Sequence, residues 1–239
     1  MVRAPRLSEQ QIESFFDCRE TMAIIRDHAN TGAGGIVALP HMGSWEMAVR
    51  AFLMNDVNIF GITAEQRNPL TSEYINKLRR QLVSETTNRG ASSTLRHILK
   101  LLKDGKFLGI LPDVRVRYNG ILVPFLGGTA SIGKGMASFA RHANMPIFPC
   151  ILKRDGWGRH KAKIFAPIWP NKDLDKEEDL ERMTTEVLKI FSDAIMADPA
   201  QWFWYNKRWI LDPLHPTSRP GAWTQTKYIR KETKTDEKH

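Results

Sequence analysis

With 239 residues, 42% of them hydrophobic and 26% charged, the chain is long enough for one domain with a sizeable core and is ordinary in composition for a globular protein. Its formal net charge of +9 favours an acidic partner: nucleic acid, anionic lipid or an acidic protein. Two cysteines, Cys18 and Cys150, with no CxxC exclude a disulfide framework and a zinc pattern, and fit a reducing compartment. No apolar run approaches the ~18 residues of a transmembrane helix, and the N-terminus lacks a signal-peptide core.

In chain order, residues 8–28 read as one amphipathic helix. Ser8 and Gln11 make a capping-box start, and Ile12, Phe15, Phe16, Met22, Ala23 and Ile25 supply an apolar stripe. Residues 36–39 are an apolar run bounded by glycines and Pro40, a buried-strand signal, and a 3.6-periodic helix follows it. A strand is expected over 58–62, and a helix with a basic face (Lys77, Arg79, Arg80) over 71–82. After the polar turn at 87–90 comes a helix over 93–103. A second buried strand over 106–113 then ends in Pro112-Asp113. The glycine-rich run 127–135 is not a P-loop, because Gly135 stands where Ser or Thr must follow Lys134. A helix of small residues over 135–142, a strand over 145–154 and a hairpin partner over 161–168 follow, with Asp155-Gly156 as turn. A charged amphipathic helix spans 173–195. Residues 199–209 interleave aromatics with Lys207 and Arg208. Such a segment can stack nucleic-acid bases or sit at a membrane interface. No repeat or linker divides the chain: residues 1–213 read as one domain, and 214–239 as a Pro-rich, then basic, flexible tail.

The segment His41-Met42-Gly43-Ser44-Trp45-Glu46 falls where the first strand ends and the next helix begins, the edge at which open α/β sheets collect their chemistry. On one continuous helix, side chains five apart would point ~140° apart and could not meet. A loop at 42–44, turned by Gly43 and with Ser44 as N-cap, lets the Glu46 carboxylate fold back to His41. A carboxylate beside imidazole fixes its tautomer and stabilises the imidazolium, which makes a general base for a hydroxyl. The helix start adds N–H donors for an oxyanion or phosphate. A core histidine followed by a helix-starting glutamate would give the same spacing.

This motif resembles the first motif of the bacterial lipid A late acyltransferases, the lauroyl and myristoyl transferases of the lysophospholipid acyltransferase superfamily. Further segments resemble the family in order: Arg67-Asn68-Pro69-Leu70; Pro112-Asp113 with Val123-Pro124-Phe125-Leu126-Gly127; the strand from Met145 to Arg154; and Pro199-Ala200-Gln201-Trp202-Phe203-Trp204-Tyr205-Asn206-Lys207-Arg208-Trp209. Leu126, Asn206 and Lys207 depart from the family's Phe, His and Arg. The resemblance implies a single α/β domain, a mixed β-sheet flanked by helices. It implies transfer of an acyl chain from acyl carrier protein or coenzyme A to a hydroxyl of a glycolipid or phospholipid, with no metal or other cofactor. His41 and Glu46 are the catalytic pair it implies. Arg89, Asp113, Arg115, Arg154, Trp204, Lys207 and Arg208 are the substrate-binding residues, with Arg96 as the alternative to Arg89 and Asp113 near the acceptor headgroup. The implied setting is an anionic membrane surface, the cytoplasmic face of a bacterial inner membrane, with no nucleic acid. Family members usually carry an N-terminal membrane helix. Here His41 lies close to the start, as in a short peripheral homologue or a chain from which that helix has been removed.

Overall fold

The computed structural model describes residues 8–63, 68, 70–71, 73–74, 77, 85–88, 94–203, 210–211, 215–216 and 223–224. Among them, seven strands form one mixed sheet: β1 (Phe16–Asp17), β2 (Gly35–Ala38), β3 (Ile59–Thr63), β4 (Glu85–Asn88), β5 (Phe107–Ile110), β8 (Ile147–Arg154) and β9 (His160–Ile164). Their order is β1-β9-β8-β2-β5-β3-β4. All neighbours pair in parallel except β8 and β9, which form the expected antiparallel hairpin. A separate hairpin joins β6 (Gly120–Phe125) to β7 (Gly128–Gly133), so the glycine-rich run is largely a strand.

The central strand β2 is buried on both faces, as its unbroken apolar sequence requires. Side chains alternate across a strand, so β2 divides the core in two. Ile36 and Ala38 face one cluster, with Leu108 of β5 and Ile147 and Ile151 of β8. Three helices and the β6–β7 hairpin close that cluster: α4 (Thr94–Lys103), α5 (Gly135–Ala143) and α6 (Lys176–Ala197). Val37 and Leu39 face the other, with Phe107, Phe148, Cys150 and Leu152. There the cover is α2 (Arg19–Ala29) and α3 (Trp45–Leu53).

The helix expected over 8–28 is divided. A first helix, α1 (Glu9–Phe15), begins at the expected capping box, with Gln11 N donating to Ser8 Oγ and Ser8 N to Gln11 Oε1. It stops at β1, and α2 restarts from Cys18. The cause is tertiary. Phe16 and Asp17 extend the sheet by pairing with His160 and Lys161 of β9, and the buried Phe16 ring stacks on His160 at 5.1 Å. Strand pairing at this edge overrides the local helical period. Of the loop at 67–70, Asn68 and Leu70 are described, and Asn68 Oδ1 accepts from Leu70 N at 3.0 Å and Thr71 N at 3.3 Å; the helix expected over 71–82 and the tail from 214 lie largely outside the described residues.

One charged cluster ties the layers of the first core together. Asp179 of α6 has a fully buried side chain and takes hydrogen bonds from Arg141 of α5, from Arg182 and from the Asn171 backbone N–H. Burial pushes its carboxyl up, but these donors outweigh it and hold the group below the usual carboxylate range.

Candidate active site

The site is built where two neighbouring parallel strands end. Ala38 of β2 and Ile110 of β5 are in register, and Leu39 N donates to Ile110 O at 3.0 Å. Beyond them the chain repeats itself: Leu39-Pro40-His41 on one strand, Leu111-Pro112-Asp113 on the other. Each proline has no N–H for the ladder and ends the strand, so His41 and Asp113 emerge side by side. Nδ1 of His41 lies 2.7 Å from Asp113 Oδ1, and the His41 backbone N–H donates to Asp113 Oδ2 at 2.8 Å. Asp113 has a fully buried side chain, whereas the His41 side chain keeps 13% of its surface exposed.

A third donor completes the carboxylate's shell. The indole Nε1–H of Trp202 donates to Asp113 Oδ2 at 2.9 Å, and the Trp202 ring is backed edge-on by Phe125 at 6.0 Å. Buried carboxylate oxygens with three N–H partners are in their acceptor form. In the tautomer in which Nδ1 donates to Asp113, Nε2 is the basic nitrogen of the ring.

Residues 201–203 strap this arrangement down. Gly43 N donates to Gln201 O at 2.9 Å, Phe203 N donates to His41 O at 2.6 Å, and Met42 bridges Trp202. The Gln201 side chain in turn holds the end of β8: its Oε1 accepts from Arg154 N at 2.6 Å, and its Nε2 donates to Arg154 O at 3.1 Å. Gly43 turns with φ +62°, and a Cβ there would stand 2.4 Å from Leu152 O, so no other residue fits under the strap. Ser44 occupies the N-cap position of α3 without a side-chain cap hydrogen bond. Trp45 meets the His41 ring edge-on at 5.3 Å, and its own ring lies 5.7 Å from Phe203.

Glu46 was expected to orient the imidazole and Asp113 to face the acceptor headgroup. At Nδ1 the carboxylate is Asp113, which is buried and positioned by strand register, while Glu46 stands half-buried in the first turn of α3. Arg115, two residues past Asp113, is half-buried and bridges Ile132 of β7. Arg154 is exposed at the end of β8, and Arg96 is exposed on α4. Arg89, Trp204, Lys207 and Arg208 lie outside the described residues.

Sequence reasoning passed over two residues. Trp202 was read as part of an aromatic segment, and nothing local marks it as the partner of a residue 89 positions away. Arg50 sits one turn beyond Glu46 on the same helix face, and its Nε is buried with no hydrogen-bond partner among the described residues.

A family model described as bacterial lipid A biosynthesis acyltransferase matches residues 1–210. The chain belongs to that family. As a member it is similar to the phosphatidylinositol mannoside acyltransferase of Mycolicibacterium smegmatis, 25% identical over 190 residues, covering 77% of this chain and 59% of the relative. The protein of the same description from Mycobacterium tuberculosis is 25% identical over 187 residues, covering 76% and 56%. This family member thus spans rather more than half the length of the curated relatives it matches. A solved 1-acyl-sn-glycerophosphate acyltransferase from Thermotoga maritima overlays with a TM-score of 0.45 at 19% identity, covering 82% of this chain and 81% of that one. No described helix is long and apolar enough to cross a membrane.

Proposed function

We propose that the chain is a membrane-associated O-acyltransferase. It moves a fatty acyl group from an acyl thioester, carried by acyl carrier protein or coenzyme A, to a hydroxyl of an anionic glycolipid. The observation that carries this reading is the buried Asp113 carboxylate at Nδ1 of His41, which orients the imidazole so that Nε2 can act as base. Nε2 takes the proton of the acceptor hydroxyl as its oxygen attacks the thioester carbonyl carbon. The tetrahedral intermediate, stabilised by N–H groups at the start of α3, collapses with cleavage of the C–S bond, and the imidazolium returns the proton to the leaving thiolate. Products are the acyl ester and the free thiol. No covalent enzyme intermediate is needed.

A glycolipid acceptor is favoured because both the family's description and the relatives' names concern glycolipids. We assign Arg50, on the helix that follows the His41 loop, and Arg115, two residues past Asp113, to the acceptor's acidic group, with Glu46 as a second carboxylate in the first turn of α3. The net charge of +9 suits an acidic carrier protein and the anionic cytoplasmic face of a bacterial inner membrane.

The test is thioester turnover with acyl carrier protein or coenzyme A thioesters and a bacterial glycolipid extract. Wild type is expected to release thiol and form labelled acyl lipid, and His41→Ala is expected to lose at least about a hundredfold in rate. Free fatty acid in place of acyl lipid would make water the acceptor and the protein a hydrolase. Equal rates for wild type and His41→Ala would end the general-base reading.

A further inference from the structure

The turn joining β8 to β9 carries a residue that the fold does not use. Trp157 is 101% exposed, so its whole ring stands in water. The turn that lifts it is tight: Asp155 N donates to Arg159 O at 2.8 Å, and Gly156 and Gly158 on either side of the ring have φ of +81° and +72°. From 153 to 161 the hairpin carries Lys153, Arg154, Arg159 and Lys161 against a single carboxylate, Asp155, which is occupied by Lys161 at 2.9 Å. Arg154 and Arg159, the two cations nearest Trp157 in the chain, are exposed.

This tip grows out of the wall of the active site. The backbone at Leu152 and Lys153 is the surface against which Gly43 packs, and Arg154 is held at both its N–H and its C=O by Gln201 of the strap. Four residues of extended chain reach at most about 14 Å, so the Trp157 backbone stays within that distance of Lys153 beside the His41 loop. On the strap itself, two residues past Gln201, Phe203 is 52% exposed.

We propose that the β8–β9 turn is a membrane-docking tip: Trp157 inserts at the interface of an anionic bilayer, Arg154 and Arg159 take its headgroups, and the His41 edge is thereby held at the lipid surface. An indole with cations around it is the chemistry of the membrane–water interface, where the ring is half-solvated and the charges meet phosphates. A protein partner fits less well. A binding tryptophan between proteins is ringed by a patch of ~800 Å² per partner, and a five-residue turn projecting between two glycines offers no such patch. The inference rests on the acyl-transfer reading only for what the docking serves. The docking itself is measured without turnover.

The experiment is co-sedimentation of the full chain with phosphatidylcholine vesicles, with and without phosphatidylglycerol, for wild type, Trp157→Ala, Arg159→Glu and His41→Ala. Thermal unfolding is run alongside, and both tip variants should keep the wild-type midpoint because their side chains are exposed. Wild type and His41→Ala should bind phosphatidylglycerol vesicles equally. Trp157→Ala should bind about tenfold more weakly, and Arg159→Glu at least about fivefold more weakly. Binding of Trp157→Ala equal to wild type overturns the proposal. So does wild type that ignores phosphatidylglycerol vesicles. If the vesicle results hold but no thioester turns over with any acceptor, the docking tip stands and the acyl-transfer reading falls.

Discussion

At the scale of single residues, the decisive contact is the one between His41 and Asp113. A carboxylate fixed by three N–H donors cannot follow a rotating imidazole, so the ring is held in one tautomer and one plane. Asp113→Asn keeps the shape but offers an amide in place of the carboxylate, which removes the charge and disturbs the tautomer. Judged by the same change in serine-protease triads, turnover should fall by about three to four orders of magnitude with little change in fold. Glu46→Gln, which leaves Nδ1 and its partner untouched, should cost no more than about a hundredfold. Thioester turnover of the two purified variants checks this, and a larger loss for Glu46→Gln than for Asp113→Asn would assign the orienting role to Glu46. The sequence held half of this contact in plain view. Leu-Pro-His and Leu-Pro-Asp can each be read as a strand ending in a polar residue. Their adjacency cannot, because β5 lies next to β2 only after the chain has passed through β3 and β4.

At the scale of elements, local period was a good guide wherever packing agreed with it. The strands at 36–39, 58–62 and 145–154 and the helices at 93–103 and 173–195 form within a few residues of those bounds. It failed at 16–17, where two residues of an apparently continuous helix pair with β9 at the sheet edge. The long α6 is fastened by a different device, the Asp179 carboxylate between Arg141 and Arg182. Its folded-state pKa lies below the ordinary value. The group is therefore charged and stabilising at every pH above the ordinary carboxylate value, and its contribution is lost as pH falls through the lowered, folded-state value. Asp179→Asn should cost about 2–4 kcal/mol near neutral pH, since the loss leaves two partly covered guanidinium groups short of their acceptor. The gap to wild type should narrow when denaturant midpoints are compared below the ordinary carboxylate range. A gap that is constant with pH would show that shape, and not charge, is what Asp179 supplies.

At the scale of the whole molecule, the two cores are the two faces of one sheet, and β8 belongs to both. Ile147 and Ile151 point into one, and Phe148, Cys150 and Leu152 into the other. Cys150 is fully buried, with β2 on one side and β9 on the other. Burial, with a smaller contribution from Cys18, pushes its thiol up to about 12. At pH 8 about one folded molecule in ten thousand then carries the thiolate, against roughly a quarter of unfolded chains. Exposing this thiol means parting β8 from a neighbour and opening both cores, which a local fluctuation does not do. In a Cys18→Ala background, where Cys150 is the one thiol left, labelling by a disulfide reagent should therefore track global unfolding. Its denaturant midpoint should coincide with that of circular dichroism, and its rate in native buffer should be set by the unfolding equilibrium. Labelling that runs well ahead of circular dichroism at low denaturant would mean that β8 opens on its own. The His41 loop and its strap, which rest on the end of that strand, would then open with it.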